Sequence, residues 1–483
     1  MIDEVSAPLA IIFDKSMDEG VVPQQWRDAN VTPIYKKGSK YDPGNYRPVS
    51  LTSILCKIME SCVYDDAIDH LLTNQLLASS QHGFLRNKSC LTNLLQFLEV
   101  ITEAVDNGDA VDLIYLDFAK AFDKVPRMRL ISKLRAHGIE GKVLQWIKSW
   151  LTGRRQRVVL NGEYSEWINV LSGVPQGSVL GPLCFVIFIN DIDDAVKDLV
   201  TIISKFADDT KIGQIIHGSD SCNSLQTSLD NLHNWAKQWG MQFNSSKCKV
   251  MHVSSKKEGF DYNMNGSILS TTSKEKDVGV IIHESLKPSL QCVEAARKAN
   301  FVLGQISRAF HYRDRKIFIN LYKKYVRVHL EFCAPAWSPW TQKDKDILEK
   351  VQQRAVKMVS GLSSNTYEER LLEIGLQSLE DRRKRLDMVQ TFKIIQGIDN
   401  VDKHHWFTFL NDSRSTDIMT RASADNLNLQ LPRSRTEVRK NFFSSRVVPQ
   451  WNSLPYEVKR SKTVTEFKRK YDQVLQTNNQ TSD

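Results

Sequence analysis

The sequence lacks the features that mark secreted and membrane-spanning proteins. Its eight cysteines are scattered and no Cys-x-x-Cys pair occurs, which argues against a zinc knuckle or a disulfide framework and suits a reducing compartment. No basic segment followed by an apolar one opens the chain, so no signal peptide is predicted. The longest apolar run, around residues 179–192, is interrupted by Pro182 and is too short to span a bilayer. We therefore expect a soluble intracellular protein with no membrane partner.

What is present is an ordinary globular composition with an excess of positive charge. A chain of 483 residues predicts about three domains. Hydrophobic residues make up 41% and charged residues 25%, as in soluble domains. The formal net charge of +9 favours an anionic partner, with nucleic acid as the leading candidate, although charge alone does not decide this.

Two adjacent carboxylates, Asp208 and Asp209, lie between short runs that are predicted to be strands. They should therefore occupy the bend of a hairpin. Like charges a few ångströms apart raise each other's pKa, and a divalent cation is the usual means of offsetting that repulsion. The alternative for an isolated pair is a solvated turn, since Asp is a favoured turn residue.

Two further stretches accompany this pair. Residues 111–123 read VDLIYLDFAKAFD, an apolar run that ends on Asp117, as a buried strand delivering a carboxylate to its edge would. Residues 172–183 read SGVPQGSVLGPL, a loop punctuated by Gly and Pro that leads into an apolar segment. In this order, the three stretches resemble the motifs of reverse transcriptases. The sequences LDFAKAFD, GVPQGSVLGP and FADD resemble the corresponding motifs of the jockey-like branch of non-LTR (LINE-type) retrotransposons.

The resemblance implies an α+β fold, that of a right-hand polymerase with fingers, an antiparallel-sheet palm, a helical thumb and a small C-terminal segment. We expect fingers and palm over residues 1–253, and a primer-grip hairpin with the thumb over 254–397. Residues 398–432 are predicted to be a linker or irregular segment, and 433–483 a basic and aromatic C-terminal segment with a disordered tail. The family usually carries an upstream endonuclease domain to which nothing here corresponds, so the chain is expected to be a fragment or a decayed copy.

For the chemistry, the resemblance implies nucleotidyl transfer assisted by two Mg²⁺ ions, with Mn²⁺ as an alternative. Asp117, Asp208 and Asp209 would hold both ions. Lys247, in the turn-like segment 244–251, is the candidate to protonate the leaving pyrophosphate. The alternative is that Lys247 is an ordinary turn lysine.

On the nucleotide side, Lys36, Lys37 and Arg47 form a basic loop that would place cations over the incoming triphosphate, with Arg adding bidentate geometry. The alternative is a solvated surface loop. By resemblance, Phe122 would stand against the sugar C2′ and exclude a 2′-hydroxyl, which makes dNTP the expected substrate. Gln176 would contact the nucleotide or the template near the pairing base.

Four residues are expected to contact nucleic acid: Arg86, Arg154, Arg155 and Gly279. Arg86 lies in a segment (residues 81–89) that matches a LINE motif and would touch the template backbone, with a structural loop as the equal alternative. The two adjacent arginines precede a hairpin predicted at Asn161-Gly162, where a charged, solvated edge strand is the alternative. Gly279 belongs to a segment that resembles the short hairpin gripping the primer.

Together these features predict an RNA-directed DNA polymerase that copies retrotransposon RNA from a DNA 3′ end. Its partners would be an RNA template, a DNA primer and dNTP, and its location the nucleus during integration, or the cytoplasm. One alternative is a catalytically idle or domesticated nucleic-acid-binding relic. Another, an RNA-dependent RNA polymerase, is disfavoured by Phe122. The oligomeric state is not predicted.

Overall fold

The protein is described from a computed structural model that covers residues 2–253, 259–310, 312–362, 364–410 and 427–480. The strands are β1 (Asp28–Tyr35), β2 (Tyr46–Leu51), β3 (Ala110–Leu116), β4 (Arg155–Leu160), β5 (Glu163–Tyr164), β6 (Ile168–Asn169), β7 (Ile202–Phe206), β8 (Asp209–Ile216), β9 (Lys249–Val253), β10 (Asn263–Met264), β11 (Ser267–Ile268), β12 (Ser270–Thr271), β13 (Lys274–Asp277) and β14 (Val280–His283).

The helices of the first half are α1 (Ile2–Glu19), α2 (Gln24–Arg27), α3 (Ile54–Thr73), α4 (Cys90–Asn107), α5 (Ala121–Lys124), α6 (Arg127–Ala136), α7 (Gly141–Leu151), α8 (Leu180–Phe188) and α9 (Ser219–Trp239). Those of the second half are α10 (Ser289–Ala309), α11 (Arg315–Leu321), α12 (Arg327–Glu331), α13 (Ala334–Trp337), α14 (Gln342–Lys357), α15 (Tyr367–Ile374), α16 (Leu379–Ile395), α17 (Glu437–Lys440), α18 (Phe443–Ser453), α19 (Tyr456–Lys459) and α20 (Val464–Gln480).

The central sheet has the strand order β12-β9-β3-β8-β7. All of its pairs are antiparallel except β12 with β9 at one edge, which is parallel. Successive side chains of β3 point to opposite faces. Leu113 belongs to one buried apolar cluster and Ile114 to another, so both faces of the sheet are covered. The predicted α+β class is confirmed.

Helices α4 and α9 cover the central sheet. α4 begins with a capping box between Ser89 and Thr92 and packs against β3 and β7. α9 packs against β8 through buried leucines at helical spacing and ends at Gly240, whose φ of 73° places it in the left-handed region. Leucines at helical spacing followed by a glycine are enough to indicate this helix and its end from the sequence. The central strands are thereby fixed from both sides.

The second sheet has the order β2-β1-β4-β5, with β6 also paired to β4. β1 and β2 form an antiparallel hairpin whose loop spans residues 36–45, and β1 pairs in parallel with β4. The turn between β4 and β5 is Asn161-Gly162, with φ of 52° and 88°, so the predicted hairpin is confirmed. This sheet presents the basic loop that the sequence singled out.

The C-terminal helices share one apolar cluster with α10–α16. Trp451 and Phe467 are fully buried, and Phe467 stacks on Phe392 with ring centroids 4.4 Å apart. These aromatic rings therefore pack in a core. α20 continues to Gln480, into the predicted disordered tail. Of the predicted linker, residues 411–426 lie outside the described residues, and the division into domains stays a prediction.

Neither a disulfide bond nor a membrane-spanning helix is found among the described residues. All eight cysteines lie in described segments, and none of them forms a disulfide. Among the described residues, no helix combines the length and the apolar character that crossing a bilayer would require. Five of the thiols are buried, where they act as small apolar side chains.

Candidate active site

The three predicted acids lie at one end of the central sheet. β3 ends at Leu116, which pairs with Thr210 of β8, so Asp117 follows at the position opposite Asp209. Phe206 pairs with Asp209 across a two-residue turn that contains Asp208. Adjacent strands lie about 5 Å apart. The register therefore brings together carboxylates that are about 90 residues apart in the chain, as predicted.

The electrostatics of the acids reflect this proximity. Burial raises the pKa of Asp208, the charge of Asp117 raises it further, and Arg47 and Lys36 oppose the rise. Burial also raises the pKa of Asp209, to about 6, and the charges of Asp208, Asp277 and Asp117 add to the effect. The side chain of Asp209 is nonetheless exposed to solvent. Repulsion among carboxylates is the situation that a bound cation relieves.

Lys247 reaches the same cluster. Its Nζ lies 2.9 Å from Oδ2 of Asp117, although the lysine side chain is 57% exposed. The backbone holds the two segments together, since the N–H of Asn244 donates to the carbonyl of Asp117 at 2.7 Å. The structure thus places the predicted general acid beside the acids.

The donor set fits magnesium in part. Hard carboxylate oxygens are what Mg²⁺ prefers, and it usually takes one or two of them together with substrate phosphates. Within the described segments, no three side chains of His, Cys, Asp or Glu are already arranged to hold an ion. Lys247 takes one oxygen of Asp117. The acids are therefore an incomplete set of ligands that a substrate would complete, and metal binding stays a prediction.

Cations from the β1–β2 hairpin act on the acids. Arg47 pairs in register with Ile34, and Lys36 follows β1 directly. Both side chains are exposed, and both lower the pKa of Asp208 through their charge. Lys37 is exposed in the same loop, and its contact with a nucleotide stays a prediction.

The predicted sugar-facing ring is held by other aromatic residues. Phe122 stacks on Phe185 with centroids 4.6 Å apart and meets Phe84 edge-on at 6.2 Å. The N–H of Val174 donates to the carbonyl of Phe122 at 2.8 Å, which ties the loop carrying Gln176 to this ring. Oε1 of Gln176 is buried and has no hydrogen-bond partner among the described residues. Phe122 and Gln176, both predicted to contact the nucleotide, therefore lie in the same part of the structure.

A brace behind the catalytic turn was missed by the sequence reasoning. Oε1 of Gln81 accepts from the N–H of Gly83 at 2.8 Å and from the N–H of Ala207 at 2.9 Å. A Cβ on Gly83 would clash with the backbone of Ala207. The segment is further paired to β7, since the N–H of His82 donates to the carbonyl of Lys205 at 2.9 Å. The Gln-His-Gly sequence at 81–83 could have indicated this brace. It lies within residues 81–89, a segment in which only the basic residues had suggested a function.

A buried ion pair was also missed. Lys211, two residues after Asp209, pairs with Asp277, and the two side chains are 4% and 5% exposed. Lys211 also donates to Oδ1 of Asn93 at 2.9 Å. Asp277 ends β13 and precedes the turn that holds Gly279. The predicted short hairpin is confirmed, whereas its contact with a primer stays a prediction.

The predicted exposed position of Arg154 is wrong. Its side chain is 3% exposed and donates to the carbonyl of Trp150 at 3.1 Å, so it cannot touch a strand from the hairpin surface. Arg155 is partly exposed, but its guanidinium is engaged by both oxygens of Asp28 at 3.0 and 2.6 Å. Residue spacing did not reveal which arginine pointed inward, because that depends on the packing of the preceding helix.

Arg86 is engaged in a similar way. Its guanidinium pairs with Asp65 and Asp69 of α3, so its charge is already balanced. Lys88 donates to the carbonyls of Ser79 and Gln81 at 2.8 and 3.0 Å. These contacts favour the alternative in which this segment is a structural loop, and template contact by Arg86 stays a prediction.

This arrangement, acids at the end of a mostly antiparallel sheet beside a cationic hairpin, is that of a polymerase palm and fingers. A profile of the family described as "Reverse transcriptase (RNA-dependent DNA polymerase)" matches residues 34–282, just over half of the chain. The chain belongs to the reverse transcriptase family. The resemblance stated from the motifs is thereby confirmed.

Curated relatives belong to mobile elements. The chain is 30% identical over 295 residues to the RNA-directed DNA polymerase from mobile element jockey of Drosophila funebris, covering 59% of this chain and 32% of that protein. It is 25% identical over 379 residues to the probable RNA-directed DNA polymerase from transposon BS of Drosophila melanogaster, covering 73% and 40%. The chain thus spans about a third to two fifths of the length of these relatives.

Solved structures with a related fold include apo telomerase from Candida tropicalis. The TM-score is 0.44 at 13% identity, covering 83% of this chain and 71% of that one. Telomerase from Candida albicans in complex with a fragment of telomeric RNA gives a TM-score of 0.42 at 11% identity, covering 76% and 68%. These likenesses are too distant to bear on function or mechanism.

Proposed function

We propose that this chain is an RNA-directed DNA polymerase that extends a DNA 3′ end with dNTP on an RNA template. The observation that carries the proposal is the convergence of Asp117, Asp208 and Asp209 at one sheet end, within the field of Arg47 and Lys36. Family membership and the names of the mobile-element relatives support it. The copied RNA would be that of a retrotransposon, and the nucleus its place of action during integration.

In the proposed reaction, the primer 3′-hydroxyl loses its proton to water, its oxygen forms a bond to the α-phosphorus, and the bond to the pyrophosphate oxygen breaks. Two Mg²⁺ ions held by the three acids would stabilise the charge on the attacking and leaving oxygens. Arg47 and Lys36 would neutralise the triphosphate, since cations fixed near the leaving group stabilise charge that develops there. Lys247, separated from Asp117 once the metal ions and the triphosphate bind, would give its proton to the leaving pyrophosphate.

The remaining predicted contacts concern the choice of substrate and the grip on the primer. Phe122, held between Phe84 and Phe185, would reject a 2′-hydroxyl because its ring is fixed by stacking. The turn at Gly279 would lie against the primer backbone, where a glycine permits close approach. The ion pair between Lys211 and Asp277 would hold that turn relative to Asp209.

The test is primer extension on an RNA template by the purified chain, with dNTP or rNTP and with Mg²⁺ or EDTA. Wild type should incorporate dNTP, and Asp208→Asn should lose roughly a hundredfold or more of the rate, because charge stabilisation supplies most of this catalysis. Asp198→Asn, an exposed acid away from the sheet end, is the matched control and should retain activity. No dNTP incorporation above the Asp208→Asn level would favour a binding relic, and rNTP preference would favour an RNA polymerase.

A further inference from the structure

Glu60 of α3 is a fully buried acid that none of the proposed catalytic steps uses. Its Oε2 accepts from the backbone N–H groups of Val179 and Leu180, at the start of α8, at 2.7 and 3.1 Å. Its Oε1 accepts from Nε1 of Trp150 in α7 at 3.1 Å and from Sγ of Cys56 in α3 at 3.2 Å. Four donors from three helices therefore converge on one carboxylate.

The surroundings of Glu60 are matched to an acid. A carboxylate accepts hydrogen bonds at both oxygens, whereas a glutamine side chain has one oxygen and one NH2 group. Glutamine at this position would therefore turn N–H groups toward two of the four donors and lose two hydrogen bonds. A negative charge at the start of α8 is also favoured by the helix dipole. The amide, although nearly the same shape, cannot replace the acid.

The charge of Glu60 interacts with Arg154, the arginine that the fold turns inward. The Arg154 side chain is buried beside the same tryptophan, since it donates to the carbonyl of Trp150 at 3.1 Å. Burial lowers the pKa of Arg154, and the charge of Glu60 opposes that fall. Opposite charges that are buried together offset part of the cost of removing both from water. Arg154 thus has a role in the interior, as a countercharge for Glu60.

The helix that Glu60 caps holds the predicted sugar-facing ring. Phe185, in the second turn of α8, stacks on Phe122 with centroids 4.6 Å apart. The loop before α8 holds the backbone of the same residue, because the N–H of Val174 donates to the carbonyl of Phe122 at 2.8 Å. Both the ring and the backbone of Phe122 are therefore fixed by the segment whose end Glu60 anchors.

We propose that Glu60 is a positioning residue for substrate selection, which fixes the start of α8 so that Phe122 keeps its place against the sugar. The inference rests on the proposed function, because it takes Phe122 as the ring that faces C2′. Loss of the anchoring hydrogen bonds lets α8 and the loop before it shift. A displacement of about 1 Å is enough to spoil a close fit between enzyme and substrate. Selection then depends on a side chain that never touches the nucleotide.

The first experiment measures the Kd of dNTP and of rNTP for the complex with an RNA template and a chain-terminated primer, so that no reaction occurs. Glu60→Gln should weaken dNTP binding about fivefold and lower the preference for dNTP over rNTP about threefold or more. Glu60→Asp, which keeps the acid on a shorter stem, should lie between wild type and Glu60→Gln.

Glu99→Gln is the matched control. Glu99 is also a buried acid, but it pairs with Arg439 of the C-terminal segment and not with α8. Its replacement should leave the Kd of dNTP and the preference unchanged. Simple destabilisation lowers the fraction of molecules that bind nucleotide and leaves the Kd and the preference as they are. Such a result for Glu60→Gln, or equal changes of preference in Glu60→Gln and Glu99→Gln, would overturn the proposal.

Hydrogen exchange tests the anchoring itself, without nucleotide. The N–H groups of Val179 and Leu180 are held by Glu60, so peptides that cover residues 174–185 should exchange about tenfold faster in Glu60→Gln than in wild type. Exchange of the same peptides should not change in Glu99→Gln. Unaltered exchange in Glu60→Gln would refute the anchoring role.

These measurements separate the inference from the proposed function. A wild type that binds dNTP with the expected preference, loses that preference in Glu60→Gln and never extends a primer would sink the polymerase activity and retain the role of Glu60. If Phe122→Ala loses the preference while Glu60→Gln keeps it, the assignment of Phe122 stands and the role of Glu60 fails. If neither variant loses it, both assignments fail.

Discussion

Nζ of Lys247 lies 2.9 Å from Oδ2 of Asp117, so a predicted proton donor and a predicted metal ligand form one ion pair. The two residues come from segments joined by the backbone hydrogen bond between Asn244 and Asp117. A metal ion would therefore compete with the lysine for Asp117, and a triphosphate would compete with Asp117 for the lysine. This pairing makes Lys247 testable both as an acid and as a charge partner.

Replacing Lys247 with Met should lower kcat by about a hundredfold or more, the usual contribution of a positioned general acid. The KM for dNTP should change little, because the proton is needed only as pyrophosphate leaves. Single-turnover incorporation and its pH profile measure the effect, with the exposed Lys237→Met as the control. If Lys247 serves only as a charge partner, Lys247→Arg will keep full activity with an unaltered pH profile, and the acid role fails.

Replacing Phe122 with Ala or Val should let ribonucleotides in. The stacked ring then no longer fills the space near C2′, so the ratio of kcat/KM for dNTP to that for rNTP should fall about tenfold or more, the scale of discrimination by steric fit. Phe122→Tyr keeps the ring and should keep the ratio. Steady-state incorporation of paired dNTP and rNTP substrates gives the values, and undiminished rejection of rNTP by the Ala variant would refute the assignment.

Gly83→Ala should impair catalysis from behind the active site. Its Cβ would press on the backbone of Ala207 and displace the turn that carries Asp208. We expect a loss of kcat of about tenfold or more, since small displacements of catalytic groups are costly. Gly304→Ala is the matched control: it lies within α10 with open space around its Cα, and should be neutral or stabilising by about 1 kcal/mol. Equal behaviour of the two variants in primer extension would contradict the brace.

The buried pair of Lys211 and Asp277 should show strong coupling. Lys211→Met or Asp277→Leu alone leaves one buried charge uncompensated, at a cost of about 3–5 kcal/mol in the free energy of unfolding. The double variant removes both charges and should cost clearly less than the sum of the two. Urea unfolding of the four proteins completes the cycle. Additive losses would show that the pair is not a unit.

Stability should fall in mild acid because of His82. The ring is buried between Thr92 and Gln96, and burial, reinforced by the charge of Lys88, lowers its pKa from 6.5 to about 3. The folded state keeps the ring neutral while the unfolded state takes up a proton below pH 6.5. The stabilisation is therefore complete above pH 6.5 and is lost as the pH falls toward 3, by about 2 kcal/mol at pH 5.

Urea unfolding at pH 7 and pH 5 checks this. His82→Gln should shrink the difference between the two pH values by about 2 kcal/mol, whereas the exposed His217→Gln should leave it unchanged. An unaltered difference in the first variant would assign the acid sensitivity to other groups.

The sequence predicted the elements of the fold well where local signals were strong. The helix ending at Gly240, the hairpin at Asn161-Gly162 and the strand leading to Asp117 each follow from residue period and turn chemistry within about twenty residues. The acids were identifiable because the pair at Asp208 and Asp209 accompanies two further stretches in the order of the family's motifs, whereas an adjacent pair alone is typical of a solvated turn.

By itself, then, the sequence determined the family motifs, the order of the elements and which carboxylates are the candidates for catalysis. The tertiary structure alone decided the partners of the basic side chains: Arg154 turned inward, Arg86 was neutralised by α3, and Lys211 was paired with Asp277. The physical reason is that periodicity is a short-range property, whereas a charge is balanced by whichever group the fold brings within a few ångströms, often from a segment a hundred residues away.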